Sequence, residues 1–170
     1  NNIPTSKFKI CESLKETINY LKTAHFPLVI KADGLASGKG VYICKNFKDA
    51  KIASEEIFNG KFGSAEQILL EEFLEGEEMS YFVISDGKNI KAFGTAQDHK
   101  RVGEGDKGKN TGGMGAYSPS RLFSEELEKK ILNKIIKPTM KGLYDLNTNY
   151  KGFLYAGLMI VNNEPFLIEY

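Results

Sequence analysis

A glycine-rich stretch between two short apolar runs constrains the fold of this chain most. The sequence from Leu28 to Val41 is LVIKADGLASGKGV, in which an apolar run ends at Lys31 and β-branched residues resume at Val41. Glycine permits a positive φ and a close approach of the backbone to a ligand. Successive N–H groups in such a turn bind anions. The pattern therefore predicts a strand, a glycine-rich turn and a second strand, with lysines placed to bind a polyphosphate.

The spacing of this turn differs from that of a P-loop, the obvious alternative. Walker A has four residues between its glycines, followed by Lys and Ser or Thr, whereas Gly34 and Gly38 enclose three, and Gly40 occupies the position of the hydroxyl. A P-loop also opens a helix, while the residues after Gly40 favour a strand. A flexible hairpin with a solvated lysine is the second alternative. The candidate phosphate-binding residues are Lys31, Gly34, Ser37, Gly38, Lys39 and Gly40.

Length and charge limit the class of protein. The chain has 170 residues, a net charge of +1 and 41% hydrophobic residues, which fits one domain or two small lobes. The small net charge favours neither a nucleic-acid partner nor an anionic membrane, and no apolar run approaches the ~20 residues of a membrane span. Cys11 and Cys44 are expected to be buried thiols, with a disulfide as the alternative. We also expect a cytoplasmic protein. Because the sequence begins at Asn1 and ends at Tyr170 within an apolar run, we expect a fragment of a longer protein.

The periodicity of apolar residues predicts mixed strands and helices. Helices are expected after Ser13 (with Glu16 at capping-box spacing), after Asn46, and from Ser124 to Tyr144 with a kink at Pro138. In the second helix the predicted buried positions are Phe47, Ala50, Ile57 and Phe58. Asp86-Gly87 and Asn162-Asn163 are expected to close hairpins, and residues 94–119 to form one long loop. This order predicts an α+β fold with antiparallel sheets, and a boundary between two lobes at residues 74–76.

An acidic run follows the third apolar strand, at Glu71, Glu72, Phe73 and Leu74. The exposed end of a strand can offer backbone N–H and C=O groups to a purine edge, with Phe73 and Leu74 as apolar walls. The carboxylate of Glu78 could then accept hydrogen bonds from ribose hydroxyls. A solvated acidic turn is the alternative reading of this segment.

The long polar segment and the last strand supply further candidates. Lysine and arginine suit a phosphate or carboxylate, and consecutive glycines let the backbone approach a small substrate. The candidate substrate-binding residues are Asp98, Lys100, Arg101, Gly113, Met114 and Gly115. His99 is a weak metal candidate because no second His or Cys is near, and the sequence favours a structural or substrate-facing role for it. Glu169, at the end of an apolar strand, is the candidate Mg²⁺ ligand. A mobile linker is the alternative for residues 94–119.

Four segments together resemble one enzyme family. They are PLVIKADGLASGKGV, ILLEEFLEGEEMSYFV, TAQDHKRVGEGDKGKNTGGMGAYSP and GFLYAGLMIVNNEPFLIEY, which run in order across nearly the whole chain. They are similar to the phosphoribosylamine–glycine ligases, or glycinamide ribonucleotide synthetases, of the ATP-grasp superfamily. The stretch with DHKR and NTGGMGAYSP is the specific part, whereas the glycine loop and EEFLEGEE are shared with other ATP-grasp ligases.

The resemblance implies a fold and an activity. The fold would be ATP-grasp, with two α+β lobes whose antiparallel sheets clasp ATP: residues 1–74 as the small lobe and 75–170 as part of the large lobe, without the family's N- and C-terminal domains. The activity would join glycine to 5-phosphoribosylamine through a glycyl phosphate, forming glycinamide ribonucleotide, ADP and phosphate in purine biosynthesis. ATP and Mg²⁺, with Mn²⁺ as the alternative metal, are the implied cofactors. We expect a monomer, and a fragment that cannot turn over alone.

The resemblance also implies residue roles. Lys31 would bind the ATP phosphates, and residues 34–40 would form the mobile loop that closes over them. Glu71 to Leu74 would form the adenine hinge, Glu78 would bind the ribose, and Glu169 would bind the metal. Asp98, Lys100, Arg101 and residues 113–115 would line the substrate region, with Lys31 and Arg101 as the catalytic residues.

Two other functions compete with the ligase. The first is another ATP-grasp enzyme, such as a carboxylase that phosphorylates bicarbonate, and the DHKR and TGGMG segments favour the ligase over it. The second is a nucleotide-binding regulatory module without chemistry. The presence of Lys31, Glu78 and Glu169 together argues against this module.

Overall fold

The chain divides into two compact units. The computed structural model describes residues 1–34, 40–105 and 107–170, except for the side chains of Arg101 and Asn110. The first unit is Ser6–Leu74, and the second is Glu75–Tyr170 together with Asn1–Thr5. Each unit has its own antiparallel sheet and its own core. The assignment of residues 1–74 and 75–170 as two ATP-grasp lobes stays a prediction.

The first unit is a four-stranded antiparallel sheet with two helices. The strand order is β1-β4-β2-β3. Its elements are β1 (Phe8–Cys11), α1 (Leu14–Leu21), β2 (Leu28–Ala32), β3 (Val41–Cys44), α2 (Phe47–Phe58) and β4 (Ile68–Glu72). The predicted strands before and after the glycine-rich turn are thus confirmed as β2 and β3.

Side-chain caps begin both helices of the first unit. The Ser13 hydroxyl accepts the N–H of Glu16 at 3.2 Å, and the side-chain oxygen of Asn46 accepts the N–H of Asp49 at 3.0 Å. Each cap satisfies a backbone donor that has no partner within the helix. The Glu16 carboxylate accepts the N–H of Glu12 at 3.1 Å. In a capping box this carboxylate would accept the N–H of the cap residue, Ser13. Here it accepts the N–H of the residue before the cap.

The first core lies between the sheet and its helices. Alternate residues of β2 and β4 are buried, and Ala50 and Ile57 of α2 are buried as predicted. Phe47 is 37% exposed, so its predicted burial is wrong, and Phe58 is half-buried. Helical side chains lean towards the helix N-terminus. Phe47 is the first residue of α2, so its side chain points beyond the helix and away from the core.

The second unit is a five-stranded antiparallel sheet with a helical segment and a small hairpin. The strand order is β11-β10-β5-β6-β9, and β7 pairs separately with β8. Its elements are β5 (Glu77–Asp86), β6 (Ile90–Asp98), β7 (Arg101–Gly103), β8 (Lys107–Asn110), β9 (Ala116–Tyr117), α3 (Glu125–Ile131), α4 (Lys137–Asp145), β10 (Lys151–Val161) and β11 (Glu164–Glu169).

The two predicted hairpin turns are confirmed. Asp86 accepts the N–H groups of Lys88 and Asn89 at 2.8 and 2.6 Å, which fixes the turn between β5 and β6. Asn162 and Asn163 join β10 to β11 with φ values of 50° and 62°. Two successive positive φ values are those of a type I′ turn, whose twist matches that of the flanking strands.

The single long loop predicted for residues 94–119 is wrong. Strand β6 continues to Asp98, β7 and β8 form a hairpin, and β9 extends the edge of the main sheet. Side-chain bonds reinforce this edge: the Tyr117 hydroxyl donates to Gln97 at 2.6 Å, and the Ser118 hydroxyl to the Thr95 carbonyl at 2.7 Å. Polar and glycine-rich strands lack the apolar alternation from which strands are predicted.

The long helix predicted from Ser124 to Tyr144 is not a continuous α-helix. Ser124 caps it and Ile131 and Ile135 are buried, as predicted. However, residues Leu132–Ile136 are π-helical, and the N–H of Lys137 donates to the carbonyl of Leu132. Pro138 then lies in the first turn of α4. The wider π turn accommodates a proline ring that would clash with the carbonyl four residues earlier in an α-helix.

Strand alternation divides the second sheet into an apolar face and a polar face. Met79, Tyr81 and Val83 of β5 are buried in one core with Leu158 of β10 and Ile131 of α3. The residues between them in sequence face the other side of the sheet. No helix within the described residues is long and apolar enough to span a membrane.

Both cysteines are buried and unpaired with each other, as predicted. Burial, with a smaller contribution from Asp49, raises the pKa of the Cys44 thiol to about 11, and burial also raises the pKa of Cys11. A group whose pKa is higher in the folded state than in the unfolded state contributes its full stabilisation at any pH below the unfolded pKa. This stabilisation is lost as the pH rises through the folded pKa. The Cys44 contribution is therefore present at neutral pH and is lost between about pH 9 and 11.

We predict that neither thiol reacts rapidly with a disulfide reagent in the native protein near pH 8, whereas both react at once in denaturant. The physical reason is that the thiolate is the reactive form and burial disfavours it. Thiol release followed by absorbance is the measurement. Fast reaction of one thiol per native chain would contradict the assigned burial.

Candidate functional site

Lys31 lies on the face of the first sheet that is turned away from its core. Its ammonium is 2.8 Å from the Glu71 carboxylate on the adjacent strand β4. The side chains are 23% and 11% exposed, respectively. Because their core-facing neighbours Ile30 and Leu70 are buried, alternation places both charges on the opposite face. The ion pair fixes a lysine at the end of β2, next to the glycine-rich turn.

The two ends of the glycine-rich turn are ordered by the strands. The N–H of Ala32 donates to the carbonyl of Gly40 at 2.8 Å, and Gly40 is buried. Gly34 has φ +127°, a conformation that favours glycine, and a Cβ there would meet open space. The predicted phosphate-binding residues Ser37, Gly38 and Lys39 lie outside the described residues.

The predicted adenine hinge follows the end of β4. The backbone N–H of Glu72 donates to the Lys7 carbonyl, and its carboxylate accepts the Lys7 N–H, each at 2.9 Å. Strand β4 ends at Glu72, so Phe73 and Leu74 lie outside the sheet. Phe73 is exposed and Leu74 is half-buried. The segment predicted as the adenine hinge therefore follows a strand end that is held by the two hydrogen bonds between Glu72 and Lys7.

The second sheet gathers a cluster of charged side chains on its polar face. Lys100 Nζ is 2.5 Å from a Glu78 carboxylate oxygen and 3.4 Å from an oxygen of Asp98. The Tyr155 hydroxyl donates to Glu169 Oε1 at 3.0 Å. These five residues line one pocket of about 70 Å³, together with Ser80. We call this group the carboxylate cluster.

Strand register explains why four of these residues meet, and Lys100 lies two residues beyond the end of β6. Strand β5 carries Glu78, β10 carries Tyr155 and β11 carries Glu169, and these three strands are neighbours in the sheet. Asp98 ends β6, on the other side of β5. Outward positions of adjacent antiparallel strands form one surface. Residues separated by up to about 90 positions in the sequence thus line one pocket.

The environment of the cluster shifts two pKa values. Burial lowers the pKa of Lys100, but hydrogen bonds and charge from Glu78 and Asp98 outweigh it, so the pKa is raised overall. Burial, followed by the charge and hydrogen bond of Glu169, raises the pKa of Tyr155 to about 12. At neutral pH Lys100 is therefore a cation, and Tyr155 is a neutral hydrogen-bond donor.

The predicted substrate loop surrounds a second and larger pocket. The N–H of His99 donates to the Gly115 carbonyl at 3.0 Å, and the Thr111 hydroxyl donates to the His99 carbonyl at 2.6 Å. Gly113 and Gly115 have φ values of 81° and 91°, as expected for close turns of glycine. The pocket measures about 580 Å³, and its lining residues are His99, Val102, Gly103, Glu104, Gly105, Thr111 and Met114.

The structure thus separates the predicted substrate residues into two places. Asp98 and Lys100 belong to the carboxylate cluster, whereas Met114 lines the larger pocket. Gly113 and Gly115 shape the loop beside that pocket. The backbone of Arg101 begins β7, but its side chain lies outside the described part of the chain.

Sequence reasoning missed Tyr155 as a candidate site residue. Tyr155 lies inside an apolar run and has the pattern of an ordinary strand residue. A glycine two residues later, Gly157, was the available signal, because glycine inside a strand often marks a close approach. His99, for which the sequence favours a structural or substrate-facing role over metal binding, lines the larger pocket.

These antiparallel sheets, with helices on one face of each, define an ATP-grasp protein. A solved D-alanine–D-alanine ligase from Bacillus anthracis, described as complexed with ATP, shares the fold with a TM-score of 0.65 at 16% identity, over 98% of this chain and 50% of its own. The family described as phosphoribosylglycinamide synthetase, ATP-grasp (A) domain, matches residues 1–170. The chain belongs to that family.

Individual relatives agree with this family. A phosphoribosylamine–glycine ligase from Mesorhizobium japonicum is 47% identical over 170 residues, which are 99% of this chain and 40% of the relative. The crystal structure of a phosphoribosylamine–glycine ligase from Thermotoga maritima matches with a TM-score of 0.89 and 35% identity, over 99% of this chain and 43% of its own. The chain thus spans about two fifths of the length of these relatives.

Proposed function

We propose that the chain supplies the ATP-binding region and part of the substrate region of a phosphoribosylamine–glycine ligase. The reaction joins glycine to 5-phosphoribosylamine, with ATP as the phosphoryl donor, and forms glycinamide ribonucleotide, ADP and phosphate in purine biosynthesis. The observation that carries the proposal is the carboxylate cluster, in which the proposed ribose and metal ligands lie beside Asp98 and Lys100. Residues 1–74 are proposed as the small lobe and 75–170 as part of the large lobe.

The first step is a phosphoryl transfer, which depends mostly on position and charge. An oxygen of the glycine carboxylate attacks the γ-phosphorus of ATP, and ADP leaves. We assign Lys31 to the ATP phosphates as a catalytic residue, because Glu71 holds its ammonium at the end of β2. The loop of residues 34–40 is assigned to cover the phosphates. Such a cover excludes water, which would otherwise hydrolyse the glycyl phosphate.

The second step forms the amide bond. The amine nitrogen of 5-phosphoribosylamine attacks the acyl carbon of glycyl phosphate, phosphate leaves, and the nitrogen loses a proton. We assign Asp98, Lys100, Arg101 and residues 113–115 to this region, with Arg101 as the second catalytic residue. The ammonium of Lys100, kept protonated by its two carboxylate neighbours, suits a phosphate or carboxylate of a substrate.

The adenine and the ribose of ATP would be bound by two separate segments. Glu71, Glu72, Phe73 and Leu74 are assigned to the adenine, read by the backbone after β4. Glu78 is assigned to the ribose hydroxyls. Its carboxylate now binds Lys100, and a carboxylate accepts several hydrogen bonds at once, so a ribose can share it.

The described residues supply one suitable carboxylate ligand for Mg²⁺, or for Mn²⁺ as the alternative. Mg²⁺ is usually bound by one or two carboxylates together with substrate phosphates. Lys100 compensates Glu78 and Asp98, whereas Glu169 forms no salt bridge within the described residues. Within that part of the chain no group of three or more His, Cys, Asp or Glu side chains could hold an ion. The metal, when bound, would neutralise phosphate charge, with Glu169 as its ligand from this sheet.

The remaining assignments follow from the same proposal. The substrates are small molecules, and we propose a cytoplasmic monomer without a nucleic-acid or membrane partner. We also propose that residues 1–170 alone bind nucleotide without turning over.

We predict that the natural chain containing this sequence releases ADP from Mg-ATP only when glycine and 5-phosphoribosylamine are both present. The physical reason is that glycine accepts the phosphoryl group and the amine removes the glycyl group, so neither step completes a turnover alone. Coupled ADP release is the measurement, with bicarbonate replacing glycine as the control. Release driven by bicarbonate would support the carboxylase alternative, and nucleotide binding without release under any condition would support the regulatory module.

We predict that Lys31→Ala in the natural chain weakens ATP binding by roughly 1.5–3 kcal/mol, the scale of hydrogen bonds to charged groups. Calorimetry with a non-hydrolysable ATP analogue is the measurement. The control is Lys51→Ala, because Lys51 is exposed on α2 and pairs with Glu55 at 3.8 Å. An unchanged dissociation constant for the analogue in Lys31→Ala would refute the assigned role.

A further inference from the structure

Tyr155 is a polar residue in contact with the proposed metal ligand, and it has been given no role. Its hydroxyl donates to Glu169 Oε1 at 3.0 Å. It engages one of the two carboxylate oxygens, which leaves the other for a cation. Tyr155 is also the only hydroxyl donor to Glu169 among the described residues.

The Tyr155 ring is held in place by the same face of the sheet. It packs against the Phe82 ring, with centroids 5.6 Å apart and planes at 45°. Tyr155 and Phe82 are direct partners in the register of β10 and β5. A cross-strand aromatic pair fixes the ring orientation. The hydroxyl is therefore a donor of fixed position, set by the strands and not by a loop.

Gly157 provides independent evidence for this contact. A Cβ at this position would lie 2.7 Å from Cγ of Glu169 and 2.8 Å from the Tyr155 hydroxyl. Gly157 is opposite Glu169 in the register of β10 and β11, and its φ is not in the left-handed region. A Cβ here would therefore force Glu169 or Tyr155 to shift, and the space that glycine leaves is filled by the two side chains of the contact.

We propose that Tyr155 is a positioning residue, which orients the Glu169 carboxylate for the divalent cation, and that Gly157 provides the room for this contact. The inference rests on the proposed function, in which Glu169 is a metal ligand. Hydrogen-bond partners of metal-binding side chains orient those ligands and strengthen binding. The neighbouring carboxylates Glu78 and Asp98 have a cation, Lys100, as their partner. Glu169 has a neutral hydroxyl instead, so its charge stays available to a metal ion.

The test compares Tyr155→Phe with Tyr150→Phe in the natural chain. Tyr150 is the matched control because its hydroxyl donates to the backbone carbonyl of Phe153 at 2.5 Å. The probe is Mn²⁺, followed by its paramagnetic resonance signal in the presence of a non-hydrolysable ATP analogue. We expect Tyr155→Phe to weaken Mn²⁺ binding about 10- to 100-fold and Tyr150→Phe to leave it unchanged. Binding of the analogue without metal should be equal in both variants.

A second substitution keeps the test decisive if Tyr155→Phe folds poorly. Gly157→Ala should weaken Mn²⁺ binding in the same direction, since its methyl group displaces Glu169 or Tyr155. Its control is Gly142→Ala on α4, where the three atoms nearest to the Cβ would all belong to the Asn1 side chain. Unchanged Mn²⁺ affinity in Tyr155→Phe, or equal losses in Tyr155→Phe and Tyr150→Phe, would overturn the inference.

The result is separable from the test of the proposed function. If the wild-type chain binds Mn²⁺ with the ATP analogue but releases no ADP with glycine and 5-phosphoribosylamine, the substrate assignment fails and the Tyr155 role can still be measured. If the wild-type chain shows the ligase activity while Tyr155→Phe binds Mn²⁺ normally, only the positioning role fails.

Discussion

The arrangement of the second unit depends on the alternation of side chains across strands β5, β10 and β11. In β5 the residues Met79, Tyr81 and Val83 enter the core, and their neighbours Glu78 and Ser80 therefore face away from it. A shift of one residue in register would reverse both sets, burying carboxylates and exposing the core. The apolar core thus determines the position of the polar cluster, although the two share no side chain.

Charge compensation is the second constraint, and it acts within each unit. Glu71 holds Lys31 in the first unit, and Lys100 is held by Glu78 and Asp98 in the second. If these lysines bind anionic ligands as proposed, neither would have to be ordered from a solvated and mobile state, which would reduce the entropy cost of binding. The ligand would instead share the lysine with a carboxylate. Glu169 differs from these carboxylates because its partner is a hydroxyl, and this difference is the reason that we propose it as the metal ligand.

The sequence allowed the strands beside the glycine-rich turn, both hairpin turns and all three helix N-caps to be predicted, because each has a local chemical signal. Asn46, for instance, caps a helix through its own side chain. The strands within residues 94–119 have no such signal, since they are polar and are held by contacts such as that between Tyr117 and Gln97. The π-helical turn before Pro138 also has no local signal, because the sequence does not show that the helix continues past the proline.

The candidate site shows the same limit. Lys31, Glu78 and Glu169 could be named from motifs, but motifs did not indicate that Lys100 contacts Glu78 or that Tyr155 contacts Glu169. These contacts join strands that are far apart in the sequence, and they depend on register and on the absent side chain of Gly157. Apart from the glycine two residues later, nothing in the sequence distinguishes Tyr155 from a core aromatic residue.

The proposed activation of glycine as an acyl phosphate is tested most directly with glycine that carries ¹⁸O in its carboxylate, supplied to the natural chain with Mg-ATP and 5-phosphoribosylamine. Because the carboxylate oxygen that attacks the γ-phosphorus leaves with the phosphate, the account predicts that each turnover transfers one ¹⁸O atom to inorganic phosphate. Phosphate formed without the label, while glycinamide ribonucleotide accumulates, would contradict it.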